Sequence, residues 1–276
     1  MKLKKQLGVA WIADFRDLWF SLPIEMVYRN QRNRSYALDL RKKIVETADE
    51  VVSVNNDIRR YLGRGEIIMN GADIDSSKYW QNAPNHQKDI LKIGILGTAN
   101  HLCPIEPLFR AVKLLLARNP SLKSRLSIIH IGHYDHKILA GILEAGLNDI
   151  VTMKGYLPKN EAIRSLAAVD LLYLGVDKFG DYNILPGRIF DYLISGKLIL
   201  GVLPNDSEAA ALLKEYGNSA IFSKENIEEI SVYLAGLLCS GDKKNKTERL
   251  DTLDLGKYSS LATAQKYAAL LDRLLK

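Results

Sequence analysis

The residue types able to do chemistry fall in a few short stretches. Pro186-Gly187-Arg188-Ile189-Phe190-Asp191 reads as the opening of a helix. Such an end presents unpaired backbone N–H groups and a partial positive charge of roughly +0.5. Proline at the first helical position loses nothing, because its N–H would be unpaired anyway. Gly187 lets a ligand approach the backbone and Arg188 adds a charged donor, a combination that suits a diphosphate. Asp191 lies one turn deeper. The same residues also read as an i,i+3 surface pair of Arg188 with Asp191, worth about 0.2–0.5 kcal/mol. Asp14, Arg16 and Asp17 follow an apolar stretch and stand either beside a cleft or in an ion-pair knot that closes their domain. Gly97-Thr98 follows another apolar run, and its backbone can face a diphosphate, although Gly94 and Gly97 do not make the G-x-G-x-x-G dinucleotide spacing. His130, His133 and His136 lack H-E-x-x-H spacing and a thiolate or carboxylate set, so no metal site is expected. Cys103 and Cys239 match no metal spacing either, and a reducing setting without a disulfide is the simpler expectation.

Positioning these groups takes a framework, and the hydropathy pattern supplies one. Short apolar runs at Lys92–Leu96, Leu126–Ile131, Ile150–Met153, Leu171–Leu174, Leu198–Val202 and Ala220–Phe222 predict strands. Amphipathic stretches between and after them, Ile105–Ala117, Asp135–Ala145, Lys159–Ala168, Arg188–Ile194, Ser207–Tyr216 and Asn226–Leu238, predict helices. Alternating β/α units make a parallel sheet with helices on both faces, a complete doubly wound domain whose ligand lies beyond the carboxyl ends of the strands. The first part holds fewer pieces: strands at Gly8–Phe15, Glu50–Val54 and Glu66–Met69, a basic helix from about Arg29 to Ala48, and a short helix at Asp57–Leu62. Gln81–Lys88 has the composition of a linker. A terminal helix over Ser259–Leu275 is expected to pack through Leu261, Tyr267, Leu271 and Leu274. The domain expectation is therefore 1–85 for a truncated α/β unit, 86–256 for the Rossmann-like unit, and 257–276 for a helix returning to the first.

The 276 residues, 47% hydrophobic and 25% charged, exclude a disordered chain, a collagen and a disulfide scaffold. Neither a membrane-spanning apolar run nor a secretory leader is present in the sequence given. Walker and G-x-S-x-G motifs are missing, and protein kinase and α/β-hydrolase chemistry lack the residues they need. The net charge of +6 points to anionic partners.

Several stretches resemble, in order, a GT-B fold glycosyltransferase, and more narrowly the family 4 group of bacterial polysaccharide biosynthesis. They are Ile12-Ala13-Asp14-Phe15-Arg16-Asp17-Leu18-Trp19; Thr47-Ala48-Asp49-Glu50-Val51-Val52-Ser53-Val54 with Met69-Asn70-Gly71-Ala72-Asp73; Lys154-Gly155-Tyr156-Leu157-Pro158 with Ala168-Val169-Asp170-Leu171-Leu172-Tyr173-Leu174; and Pro186–Leu193 with Gly196-Lys197-Leu198-Ile199-Leu200. The resemblance spans about residues 8–275. It departs from the family at the first glutamate of a pair, where Asn183 stands, at the second, where Asp191 stands, and after Leu96, where Gly97-Thr98-Ala99-Asn100-His101 lacks a basic pair. The family's first strands and glycine-rich acceptor loop are not seen before Asp14.

The resemblance implies a retaining transferase that moves a sugar from a nucleotide-diphosphate sugar to a glycan or lipid-linked acceptor. It implies that Asp191 holds the ribose, that Gly155, Tyr156 and Leu157 border the base, that Gly97, Thr98, Gly187 and Arg188 border the diphosphate, that Arg16 meets the donor phosphates or the transferred sugar and with Arg188 stabilises the leaving diphosphate, that Asp17 orients a sugar hydroxyl or holds Arg16, and that Asn183 bonds sugar hydroxyls. Trp19 would stack on an acceptor or pack, and Asn70-Gly71 would serve as a hinge. No cofactor or metal enters this scheme. The basic helix, with Arg29, Arg32, Arg34, Arg41, Lys42 and Lys43, reads as an anionic-membrane contact or a solvated face, in a cytoplasmic protein peripheral to the inner membrane face. Nucleic acid is not expected. Two rival readings stay open: a truncated or split, non-catalytic nucleotide-sugar binder needing a companion chain, and a nucleotide-sugar epimerase of the same fold.

Overall fold

The computed structural model describes residues 1–18, 31–73, 80, 89–239 and 255–275. The larger sheet has six parallel strands, β4 (Leu91–Leu96), β5 (Leu126–Ile131), β6 (Val151–Met153), β7 (Leu171–Gly175), β8 (Leu198–Val202) and β9 (Ser219–Phe222), while β1 (Ile12–Phe15), β2 (Glu50–Ser53) and β3 (Glu66–Ile67) belong to the other lobe. Their spatial order is β6-β5-β4-β7-β8-β9. The order reverses between β4 and β7, which places the switch point there. The central strands β7 and β8 are continuous apolar runs because both faces are covered. In β7, Leu172 and Leu174 enter one core and Leu171 and Tyr173 the other, all at 0% exposure.

The helices covering these faces are amphipathic. On one side lie α4 (Glu106–Arg118), α5 (His136–Glu144) and α9 (Ile227–Cys239), which bury Leu108, Val112 and Leu115, Ile142, and Ile230 and Leu234 respectively. On the other lie α6 (Lys159–Leu166), α7 (Arg188–Ile194) and α8 (Glu208–Tyr216). Ser207 caps α8 by accepting the Ala210 N–H at 3.1 Å.

The first lobe contains a three-stranded parallel sheet, β1 (Ile12–Phe15), β2 (Glu50–Ser53) and β3 (Glu66–Ile67), with helices α1 (Lys2–Leu7), α2 (Gln31–Thr47) and α3 (Asn56–Leu62). The strand expected from Gly8 starts only at Ile12, because Lys2–Leu7 is helical and Gly8 ends it at φ 64°. Helix α1 is pinned by Lys4, whose Nζ lies 2.7 Å from Asp49; the second oxygen of Asp49 accepts the Trp11 N–H at 2.8 Å. Within α2 only Ala37 is buried, and Arg41 leaves the basic face to lie over the Tyr61 ring at 4.2 Å. Arg29, Trp19 and the expected linker 81–88 lie outside the described residues.

The terminal helix α10 (Ser260–Leu274) covers one face of the small sheet, where Leu270 at 0% exposure packs on Val52 and Ile68. Of the expected packing residues Tyr267 and Leu274 face inward, joined by Thr263 and Leu270, while Leu261 and Leu271 are exposed. The spacing 263, 267, 270, 274 is a true i, i+4, i+7, i+11 stripe, and the leucines of the opposite side gave a competing one. Ala72 ties the start of α10 to the end of the first lobe, donating to the Tyr258 carbonyl and accepting from the Ser260 N–H, each at 2.8 Å. Leu270→Ala is expected to destabilise the protein by about 2–5 kcal/mol and Leu271→Ala by no more than about 0.5, as read by denaturant unfolding.

Candidate functional site

At the switch point β4 and β7 pair only through Ile93–Leu171 and Gly94–Leu172, then diverge. Backbone groups in the widening gap lose their ladder partners and must find others. Helix α7 supplies them from positions i and i+4. The Tyr192 hydroxyl accepts the Leu96 N–H at 2.8 Å and donates to the Tyr173 carbonyl at 3.2 Å. One turn nearer the carboxyl ends, the Arg188 guanidinium donates to the carbonyls of Leu96 (2.7 Å), Thr98 (3.1 Å) and Gly175 (3.1 Å). Burial pushes the Tyr192 phenol up to about 12, so it stays a neutral donor and acceptor.

Arg188 is thus a stitch across the crevice. It is also a cation in contact with carbonyls only: no Arg188–carboxylate pair occurs among the described residues. The anticipated Arg188–Asp191 surface pair does not form. Asp191 is 8% exposed, and its carboxylate lies 2.9 Å from Lys159 Nζ, at the start of α6. Burial raises the Asp191 carboxyl above its ordinary value, with Lys159 opposing and Asp73 reinforcing the shift. Of the five guanidinium N–H groups, three are engaged by the carbonyls, and Nε is buried without a partner among the described residues.

The loops after β4, β5 and β6 stack beside this cation. Gly97 takes φ +91°; it donates to the Ile131 carbonyl, and Gly132 donates to the Gly155 carbonyl, both at 2.8 Å. The Gly97 carbonyl receives His130 Nε2 at 2.9 Å, which requires the proton on that nitrogen. Gly132 must be glycine, since φ is +143° and a Cβ there would stand 2.3 Å from Gly97 O. Tyr156, 70% exposed, stacks on His133 with centroids 5.6 Å apart and planes at 22°. Leu157 is half-buried against the core. The three histidines are therefore dispersed: one buried, one stacked, and His136 opening α5.

Residues expected at the sugar meet between the lobes. Arg16, Asp17, Asn55, Asn100, Cys103 and Asn183 contribute to a cavity of about 300 Å3. Arg16 is tied into its own lobe: it donates to Asp14 at 2.8 Å, to Asn70 at 2.9 Å and to the Tyr267 hydroxyl of α10. The ion-pair knot is therefore what forms around Arg16, and Asp17 stands exposed at the cavity rim. Burial, with Asp14 adding to it, pushes the Tyr267 phenol up to about 12. Asn183 is held from across the lobes, its N–H donating to Asp57 at 2.7 Å, while its side-chain oxygen is buried with no partner among the described residues. A second link joins the Asn56 N–H to Glu208 at 3.1 Å. A larger hollow of about 530 Å3 between α4 and α5 has charges that answer one another, Arg110 with Glu106 at 3.4 Å and Lys113 with the Glu144 carbonyl at 3.3 Å.

Sequence reasoning missed Tyr192, Lys159, Asp57 and the bond from His130. Only Tyr192 left a signal, at i+4 from Arg188 on the same helix face. Among the described residues no three His, Cys, Asp or Glu side chains lie close enough to share a metal ion.

No protein-family model matches the chain, and no curated protein matches its sequence. Solved structures do. The Anabaena protein HepE in complex with UDP-glucose superposes with a TM-score of 0.72 at 14% identity, over 98% of this chain and 74% of that one. Sucrose-phosphate synthase from Thermosynechococcus elongatus gives 0.65 at 14%, over 99% and 70%. Trehalose 6-phosphate synthase from Burkholderia multivorans gives 0.67 at 12%, over 97% and 69%. The chain has the GT-B-like α/β fold of such two-lobed glycosyltransferases, as the motifs led one to expect.

The buried His130 ring yields a pH expectation. Burial, with the nearby Arg188 charge adding to it, lowers its pKa from 6.5 to about 4, against the bond to Gly97. The unfolded chain binds this proton below about pH 6.5 and the folded chain only near 4, so stability is intact above 6.5 and is lost as pH falls through that window. The loss is roughly 3 kcal/mol. Thermal unfolding should show it, and His130→Gln should flatten the curve between those pH values; an equal slope in both proteins would contradict the assignment.

Proposed function

We propose that the chain is a glycosyltransferase that takes a nucleotide-diphosphate sugar as donor. The observation that carries this is the Arg188 cation at the β4/β7 switch point, where parallel α/β sheets receive their ligands, with only carbonyls for company. A diphosphate supplies the missing negative charge, and as a leaving group it gains more from that charge as the bond to the sugar breaks. The ribose reaches Asp191, exchanging with or joining Lys159, and the base lies along Gly155, Tyr156 and Leu157. The sugar then extends past Gly187 toward Asn183 and the inter-lobe cavity, where Asp17 meets the acceptor. HepE, solved with UDP and with UDP-glucose, has this architecture and supports the donor class. The family 4 resemblance supports a retaining reaction in surface polysaccharide synthesis, with a glycan or lipid-linked acceptor, in the cytoplasm at the membrane face; no helix of the described residues is long and apolar enough to cross a membrane.

A second reading, a donor-binding chain that does not turn over alone, is favoured by one observation: the Arg16 side chain is already occupied by Asp14, Asn70 and Tyr267. Incubation with labelled nucleotide sugars separates the two. Release of nucleoside diphosphate supports the transferase; tight binding without release, restored by a companion chain, supports the second. Asp191→Ala is expected to weaken donor binding by about 1–3 kcal/mol in calorimetry. Unchanged affinity with an intact fold removes Asp191 from the site, and a wild-type chain that binds no nucleoside diphosphate defeats both readings.

A further inference from the structure

The fully buried ring of His130 takes no part in the chemistry above, yet it touches the loop that borders the proposed diphosphate. Its Nε2–H holds the Gly97 carbonyl at 2.9 Å, and Gly132 closes on the same oxygen from the other strand. In a trans peptide the carbonyl and the following N–H point in opposite directions. Drawing the Gly97 carbonyl toward the core therefore turns the Thr98 N–H outward. Thr98 is exposed, and its N–H donates to no described residue. The cation lies against both sides of this peptide: the carbonyl of the next one, Thr98, accepts from Arg188 at 3.1 Å, and a Cβ on Gly97 would lie 3.1 Å from Arg188 Nη1.

We propose that His130 is a positioning residue, fixing the Gly97–Thr98 peptide so that the Thr98 N–H and Arg188 together form the diphosphate cradle. The proposal rests on the donor reading given above and adds to it the device that orients the loop. Two features argue that the ring is there for its donor. Its Nδ1 is buried with no partner among the described residues, a burden that an apolar side chain of the same size would not carry. Burial also keeps the ring neutral, so it brings no second positive charge and serves as a fixed N–H donor.

The test uses the full chain and inorganic pyrophosphate, which removes any dependence on the base. In wild type, addition of pyrophosphate is expected to shift the Thr98 amide resonance downfield, and the His130 ring nitrogens are expected to report the Nε2–H tautomer. His130→Phe should bind pyrophosphate about tenfold or more weakly and lose the Thr98 shift, whereas His130→Gln, whose side-chain amide can donate to Gly97, should recover most of both. If wild type shows neither binding nor a shift, the donor reading fails and takes this inference with it. If wild type responds and a folded His130→Phe responds equally, the donor reading stands and the role of His130 is refuted. Should His130→Phe not fold, the ring tautomer and His130→Gln decide: an Nδ1–H ring, or a Gln variant that folds but gives no Thr98 shift, overturns the proposal.

Discussion

The parting of β4 and β7 governs the rest of this structure. A parallel sheet that winds both ways must open somewhere, and backbone groups in the opening have no strand to pair with. Helix α7 answers with Tyr192 and Arg188 on one face. The tyrosine closes the gap with a neutral hydroxyl. The arginine closes it with a charge, and because carbonyls rather than carboxylates receive that charge, the crevice is left electropositive. A brace needed by the fold thereby becomes the feature that makes an anion site.

The neighbouring elements are arranged around that charge. Three loops stack on one another through Gly97, Gly132 and Gly155, bringing backbone close to the cation without side chains in the way. Asp191, one turn along α7 from Arg188, turns to Lys159 instead. Two opposite charges on a single turn thus serve different partners, and the crevice keeps its sign. The lobes are coupled by carboxylates that accept backbone N–H groups, Asp57 from Asn183 and Glu208 from Asn56. Such bonds fix the loop carrying Asn183 relative to the inter-lobe cavity, and each is worth more than a neutral one because the acceptor is charged.

Much of the framework is legible in the sequence. Strands β7 and β8 are continuous apolar runs that begin just after a polar residue, Asp170 and Lys197, while β4 and β5 carry Lys92, Ser127 and His130 within otherwise apolar runs. The GT-B-like arrangement follows from them and from the ordered motifs. Helix α1 left no such trace, because none of its residues is buried and it is held by a single lysine on Asp49. The face of α10 is half legible: Tyr267 and Leu274 face inward as expected, but leucines lie on the exposed side too, and only contact with Val52 and Ile68 selects Leu270. The roles of the charged residues are the least legible. Arg16 meets Tyr267 across 251 positions, and His130 meets a backbone carbonyl, a partner that residue types cannot disclose.

The central claim is that the Arg188 cation at the switch point is neutralised by the diphosphate of a nucleotide. A crystal structure of the chain with a nucleoside diphosphate tests it most directly. The account predicts phosphate oxygens within hydrogen-bond distance of the Arg188 guanidinium and of the Thr98 N–H, with the ribose toward Asp191. A nucleotide seated elsewhere, or a crevice that stays closed while nucleotide binds, would contradict it.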